Sequence, residues 1–196
     1  SSSVTGMRER PLTDFEHILL GIIARGPLSG YQLRRYFADT PASVYQPSPG
    51  ALYPALRRLR DRGLLVGENE VSAGLRRREI YRVTDAGRRL HRDWLRHPVD
   101  AETVGRDLGL HLMRFMMMEH EQPREQTLEF LADLAVALDR FVADMERYLA
   151  SLPRPTGHGA LAVRHGIAVH RASLQWTRAT LRTLRRRTSP AVDRPA

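Results

Sequence analysis

Apolar residues return every three or four positions through Phe15, Ile18, Leu19, Ile22 and Ile23, directly after the run Thr13-Asp14-Phe15-Glu16. A threonine with a glutamate three residues on can satisfy the free N–H groups of a starting helix reciprocally, so the pattern predicts a first helix here. Gly26-Pro27 ends it, since glycine tolerates the left-handed cap and proline cannot continue the helix. Ser29 caps a second short helix carrying Tyr31, Leu33 and Phe37, which closes near Asp39-Thr40-Pro41. A third is expected from Ser48-Pro49-Gly50, read as an N-cap with proline in the first turn, through the inner stripe Leu52, Ala55, Leu56 and Leu59 to a stop at Gly63. Its outer face carries Tyr53, Arg57 and Arg60. Pro54 costs this helix a hydrogen bond, so either the helix starts late or its first turn is irregular.

The periodicity then changes from helix to strand. Leu64, Leu65, Val66 and Val71 bound one strand, Ser72-Ala73-Gly74 turns the chain, and 78–83 returns, with Arg76, Arg77 and Arg78 at the hairpin tip. Thr84 caps a fourth helix, read with Ala86, Leu90 and Trp94 on one face, before His97-Pro98 breaks it. From about residue 103 the pattern is helical throughout. Leu108, Leu112, Phe115 and Met116 define one helix, and Met113, Met117 and Met118 make it apolar on nearly every side. Leu128, Leu131, Ala135, Leu138, Val142, Met145, Leu149 and Leu152 keep a three-four alternation, with Leu134, Phe141 and Tyr148 beside it. After Pro153, Pro155 and Gly157 the alternation resumes through Val163, Ile167, His170, Leu174, Thr177, Leu181 and Leu184, so these two stripes are expected to pack together.

Charge changes the picture. All 31 basic side chains are arginine against 22 acids, a net charge of +9, which favours a polyanionic partner. Residues 101–152 carry 5 arginines and 10 acids, whereas residues 153–196 carry 9 arginines and 1 acid, so part of the terminal charge is matched internally. There are no cysteines, which excludes disulfides and thiolate metal sites. His165 and His170 lie five apart, on different faces of a helix, and no other histidine spacing suits a metal. With no glycine loop for phosphate and no Ser/His/Asp or paired-carboxylate arrangement, no enzyme activity, metal or cofactor is expected. No apolar run reaches membrane-spanning length and no leader pattern opens the chain, so the expected location is the cytoplasm.

Leu20-Gly21-Ile22-Ile23, Pro27-Leu28-Ser29-Gly30-Tyr31, Gly50-Ala51-Leu52-Tyr53-Pro54-Ala55-Leu56, Arg58-Leu59, Gly63-Leu64-Leu65, Tyr81-Arg82-Val83-Thr84 and Gly87 follow one another in this order. The ordered set resembles the signature of the PadR family of transcriptional regulators, and the tail is similar to the branch with the longer helical C-terminal domain. The resemblance implies a mainly α fold: a winged helix-turn-helix of three helices, a β-hairpin wing and a linking helix, then an all-helical C-terminal dimerisation domain. It also implies a homodimer, an inverted-repeat operator and repression relieved by a small molecule or stress signal. The expected division is 7–98 for the DNA-binding domain and 99–188 for dimerisation and effector sensing, with 1–6 and 189–196 as unstructured tails.

On that frame the third helix is the reader, because a helix in the major groove presents base-reading side chains from its first turn. The candidate DNA-binding set is Ser29, Tyr31, Ser48, Gly50, Tyr53, Arg57, Arg76, Arg77 and Arg78. Ser48, Gly50 and Tyr53 approach bases or the sugar-phosphate, Arg57 clamps phosphate, and the arginine tip reaches the minor groove or backbone. For Arg57, Arg58, Arg60 and Arg62 the alternative is an ordinary solvated face. Trp94, Met113, Phe115, Met117 and Trp176 form a candidate pocket for an apolar or aromatic effector, against the alternative of core packing. The competing reading of the whole chain is a helical interaction module that binds an acidic protein partner.

Overall fold

The computed structural model describes residues 10–39, 45–48, 50–71, 77–154 and 156–186, and the chain divides into two compact units, Ser1–Trp94 and Leu95–Ala196. In the first unit, helix α1 (Asp14–Ala24) opens on the reciprocal cap: Thr13 N donates to Glu16 Oε2 at 2.8 Å, and Glu16 N to Thr13 Oγ1 at 3.2 Å. Every residue from Phe15 to Ile23 is buried, so α1 is the centre of this unit rather than a one-sided surface helix. Strand β1 (Leu28–Ser29) has no counterpart in the sequence pattern, two residues being too few to show a period. Helix α2 (Gly30–Asp39) follows at once, capped by Ser29, whose Oγ accepts from Gln32 N while Gln32 Oε1 accepts from Ser29 N.

Helix α3 (Leu52–Asp61) buries Leu52, Ala55, Leu56 and Leu59, the expected inner stripe. Its start differs from the expected one. Ala51 N donates to Ser48 O, and Ala51 caps the helix without a side-chain bond. Pro54 therefore falls in the first turn, where an N–H would have no helical partner, which removes the conflict seen in the sequence. Gly63, at φ 67°, ends α3: Gly63 N reaches Arg60 O and Leu64 N reaches Leu59 O, satisfying the last carbonyls. Strands β2 (Leu65–Val71) and β3 (Arg77–Val83) pair antiparallel, Leu65 opposite Val83 and Val71 opposite Arg77, and β1 joins the other edge of β3. The turn at 72–76 lies outside the described residues. Helix α4 (Asp85–Leu95) starts at Thr84, whose Oγ1 accepts from Gly87 N. Its inner face is Gly87, His91, Trp94 and Leu95, and Leu90, expected on that face, is exposed. The buried histidine displaces the apolar phase that the sequence suggests.

The second unit consists of α5 (Ala101–Val104), α6 (Leu108–Glu121), α7 (Arg124–Ser151) and α8 (His158–Arg186). The inner stripe of α6 is Leu110, Met113, Met117 and Met118 with His111 and Arg114; of the expected stripe, Met116 is exposed and Leu108, Leu112 and Phe115 are half-buried. Buried Arg114 explains the shift. Its guanidinium donates to the carbonyls of Leu95, His97 and Pro98 and lies over the Phe130 ring, so a charged side chain occupies a position that hydropathy assigns to solvent. The stripes of α7 and α8 pair antiparallel within one chain, through buried Leu131, Leu138 and Val142 on one and Ile167, Leu174 and Leu181 on the other. Arg171 pairs with Glu146 and Arg178 with Asp139, so part of the basic charge of α8 is matched by α7.

Candidate nucleic-acid interface

Three short elements meet at one open groove of about 560 Å³ in the first unit, lined by Ser29, Gly30, Tyr31, Tyr53, Arg78, Glu79 and Tyr81. The start of α2, the first turn of α3 and strand β3 each contribute. Tyr31 and Tyr53 are 53% and 51% exposed, far more than large aromatic side chains in a folded unit usually are. Ser29 is itself buried and serves as the cap of α2, so within the expected set it shapes the groove rather than presenting a free hydroxyl. Ser48 and Gly50 are exposed at the entry to α3, and Gly50 takes φ 76°, a conformation open to glycine at little cost. Arg78 is exposed; Arg77 is placed by its backbone pairing with Val71, and Arg76 lies outside the described residues.

The four arginines of α3 and its C-cap separate by what they touch. Arg58 Nε donates at 2.7 Å to Glu16 Oε1, and that carboxylate is almost fully buried. Burial alone would raise the Glu16 pKa, but hydrogen bonds from Thr13 and Arg58, with the arginine's charge, hold it below its ordinary value. Arg60 Nη1 donates to Glu79 Oε1 at 2.8 Å, and Arg62 Nη1 to the carbonyl of Arg10. Arg57 is exposed on the outer face beside Tyr53, and no hydrogen bond holds it among the described residues. The arginine run is thus neither a uniform solvated face nor a uniform contact surface.

Glu79 and Tyr81 were not in the expected DNA-binding set, and both belong to the groove. Tyr81 OH donates to Glu79 Oε2 at 2.8 Å, and burial, then Glu79, push the Tyr81 phenol up to about 12. Glu79 is thereby held between Tyr81 and Arg60, and its charge is offset by the guanidinium. Their spacing of two along β3, which puts both on one face of the strand, is the sequence signal that could have found them.

The expected effector residues divide between the units. Trp94 belongs to the first, where its indole N–H donates to Asp14 at 3.0 Å and its ring stacks parallel to His17 at 5.1 Å. Met113, Phe115, Met117 and Trp176 belong to the second. Met113 and Met117 are buried, while Phe115 meets the half-exposed Trp176 edge to face at 5.5 Å, next to exposed Met116 in sequence. Among the described residues no group of His, Asp and Glu is placed to hold a metal ion, and no helix is long and apolar enough to cross a membrane.

Three helices backed by a three-stranded sheet, with the third helix's outer face, the start of the second and a hairpin strand around one groove, define a winged helix-turn-helix unit; a separate helical unit follows it. Residues 19–93 match the Transcriptional regulator PadR-like family. The chain is 24% identical over 137 residues to the Negative transcriptional regulator PadR of Bacillus subtilis, covering 69% of this chain and 75% of the relative. It is 57% identical over 44 residues to the Transcriptional regulator Rv3488 of Mycobacterium tuberculosis, covering 22% of this chain and 40% of that protein. A crystal structure of Bacillus subtilis PadR in complex with operator DNA is similar at a TM-score of 0.44 and 19% identity, over 88% of this chain and 99% of that one.

Proposed function

We propose that the chain is a sequence-specific, DNA-binding repressor that acts as a homodimer on an inverted-repeat operator and is released by a small apolar or aromatic effector. The observation that carries the DNA reading is the meeting of exposed Tyr31, Tyr53 and Arg78 at one groove, with Arg57 left unengaged on the same outer face of α3 while Arg58 and Arg60 are held by carboxylates. Tyr53, at the N-terminal turn of α3, has the position from which a groove-bound helix reads base edges, and Arg57, one turn on, has that of a phosphate contact.

The homodimer is supported by the outer face of α8. Leu161, Val169 and Trp176 are 52%, 43% and 39% exposed there, with His165, Ala168, Ala172 and Ala179 on the same side, and that side carries no arginine and no acid from 161 to 179. A helix face meant for water normally carries charge. A second copy of the chain covers such a face, and the twofold axis so generated presents two readers to half-sites about 34 to 36 Å apart. The effector is assigned to the second unit, to the neighbourhood of Phe115, Trp176, Met113 and Met117, where aromatic edges and thioethers adapt to varied apolar ligands.

The test is an anisotropy titration of a labelled duplex, selected by the full chain from random-sequence DNA, at several salt concentrations. Tyr53→Ala should weaken the selected duplex more than a mixed-sequence one. Arg57→Ala should weaken both, and reduce the slope of log affinity against log salt by about one. Unchanged affinity in both variants means that this face does not bind DNA, and leaves an acidic protein partner as the reading to pursue.

A further inference from the structure

Gly30 is the first residue of α2, buried, and its φ is not in the left-handed region, so the backbone there does not call for glycine. A helix generally prefers almost any other residue to glycine. What calls for it is a neighbour: a Cβ at this position would lie 2.7 Å from Cε1 of Tyr53 and 3.5 Å from its Cζ. Real Cβ atoms do not approach a carbon that closely. The ring of the exposed Tyr53 therefore lies back against the start of α2, in space that exists only because residue 30 has no side chain.

We infer that Gly30 is a positioning residue for DNA recognition: it seats the Tyr53 ring against α2 and so sets where the phenol stands relative to Tyr31 and Arg78 in the groove. This rests on the reading of Tyr53 as a DNA contact. The direction of the effect follows from what can move. The three atoms nearest the missing Cβ all belong to the ring of Tyr53, which is half in solvent, whereas the backbone around Gly30 is fixed by the Ser29–Gln32 cap and the pairing of Ser29 with Ile80. A methyl group at position 30 is accordingly accommodated by displacing the Tyr53 ring, not by unfolding α2. Recognition requires contacting groups held within about half an ångström, and a ring pushed off its seat misses that tolerance.

The experiment uses the full chain and the selected duplex, with Gly30→Ala, Tyr53→Ala and the double variant. Gly30→Ala should melt no lower than the parent and lose on the order of tenfold in affinity for the selected duplex, as does Tyr53→Ala, with a smaller loss on mixed-sequence DNA. In the Tyr53→Ala background, Gly30→Ala should cause no further loss, because the group it displaces is absent. The labelled-tyrosine NMR signal of Tyr53 should shift in Gly30→Ala. Losses that multiply in the double variant, an unshifted Tyr53 signal, or parental affinity in Gly30→Ala overturn the inference even where Tyr53→Ala is impaired. A neutral Tyr53→Ala removes the reading of Tyr53 as a contact, and the inference with it, while the NMR shift separately reports whether Gly30 seats the ring.

Discussion

Replacing Arg58 by alanine removes the one arginine of α3 that donates a hydrogen bond to a nearly inaccessible carboxylate. Glu16 then keeps its bonds to Thr13 N and Thr13 Oγ1 but loses the guanidinium at 2.7 Å, and the closest atom of Arg10 stands 3.7 Å away. Leaving a buried charge unpartnered costs about 3 to 5 kcal/mol, and a hydrogen bond to a charged group contributes about 1.5 to 3 kcal/mol. The Arg58 side chain is 48% exposed, so water replaces part of what it supplied, and the lower end applies: about 2 kcal/mol. For a unit of this size that lowers the melting midpoint by roughly 10 °C. The pH dependence has a definite sign. The folded Glu16 pKa lies below its ordinary value of 4.5, so the stability it contributes is present above that value and is lost as pH falls through the folded pKa. The difference in stability between the parent and Arg58→Ala should accordingly narrow below about pH 4.5. Chemical denaturation followed by circular dichroism across pH measures it, and Glu16→Gln with the double variant isolates the pair. Specific DNA affinity per folded molecule should hold in Arg58→Ala and fall in Arg57→Ala at unchanged stability. A stability change under about 0.5 kcal/mol at neutral pH, the range of an ordinary surface substitution, refutes the structural role of Arg58.

Tyr81 should ionise near pH 12 in the folded chain; since its folded pKa is raised from 10, the stability it contributes is present below pH 10 and lost between the two, which an ultraviolet absorbance titration and Tyr81→Phe would reveal. Trp176→Glu should shift the chain toward monomer in sedimentation without unfolding it, because a carboxylate on that half-exposed position meets water in the monomer and an apolar surface in the dimer. An apolar aromatic effector should change the fluorescence of Trp176 and lose affinity in Phe115→Ala, and a compound panel that leaves both unmoved places the signal elsewhere.

Several elements were legible because their signals sit between neighbours in sequence. Thr13 and Glu16, Thr84 and Gly87, Gly63 with Leu64, and the stripe of α3 each depend on residues within about one turn, and the structure forms them where the pattern puts them. The two stripes of α7 and α8 are legible for the same reason, since a sustained alternation of three and four requires a partner helix, and each is the other's partner within the chain. The groove was half legible: Tyr31, Tyr53 and Arg78 could be named, but not that they line one surface with Glu79 and Tyr81.

What the amino-acid sequence determined by itself was therefore the longer helices and the hairpin, their order and the excess of positive charge, because caps, breakers and periodicity act locally, whereas the short β1 and α5 left no such pattern. Only the tertiary structure decided which side chains those elements bring together. Arg57 and Arg58 are adjacent and chemically identical, and they differ because a buried carboxylate 42 residues away faces one and solvent the other. Buried Arg114 turns α6 away from the face its hydropathy suggests, because the carbonyls of residues 95, 97 and 98 stand where a charged donor is needed. Gly30 reads as an ordinary glycine beside a helix cap until the Tyr53 ring is seen in the space its missing side chain leaves, and a steric vacancy of that kind exists only in three dimensions.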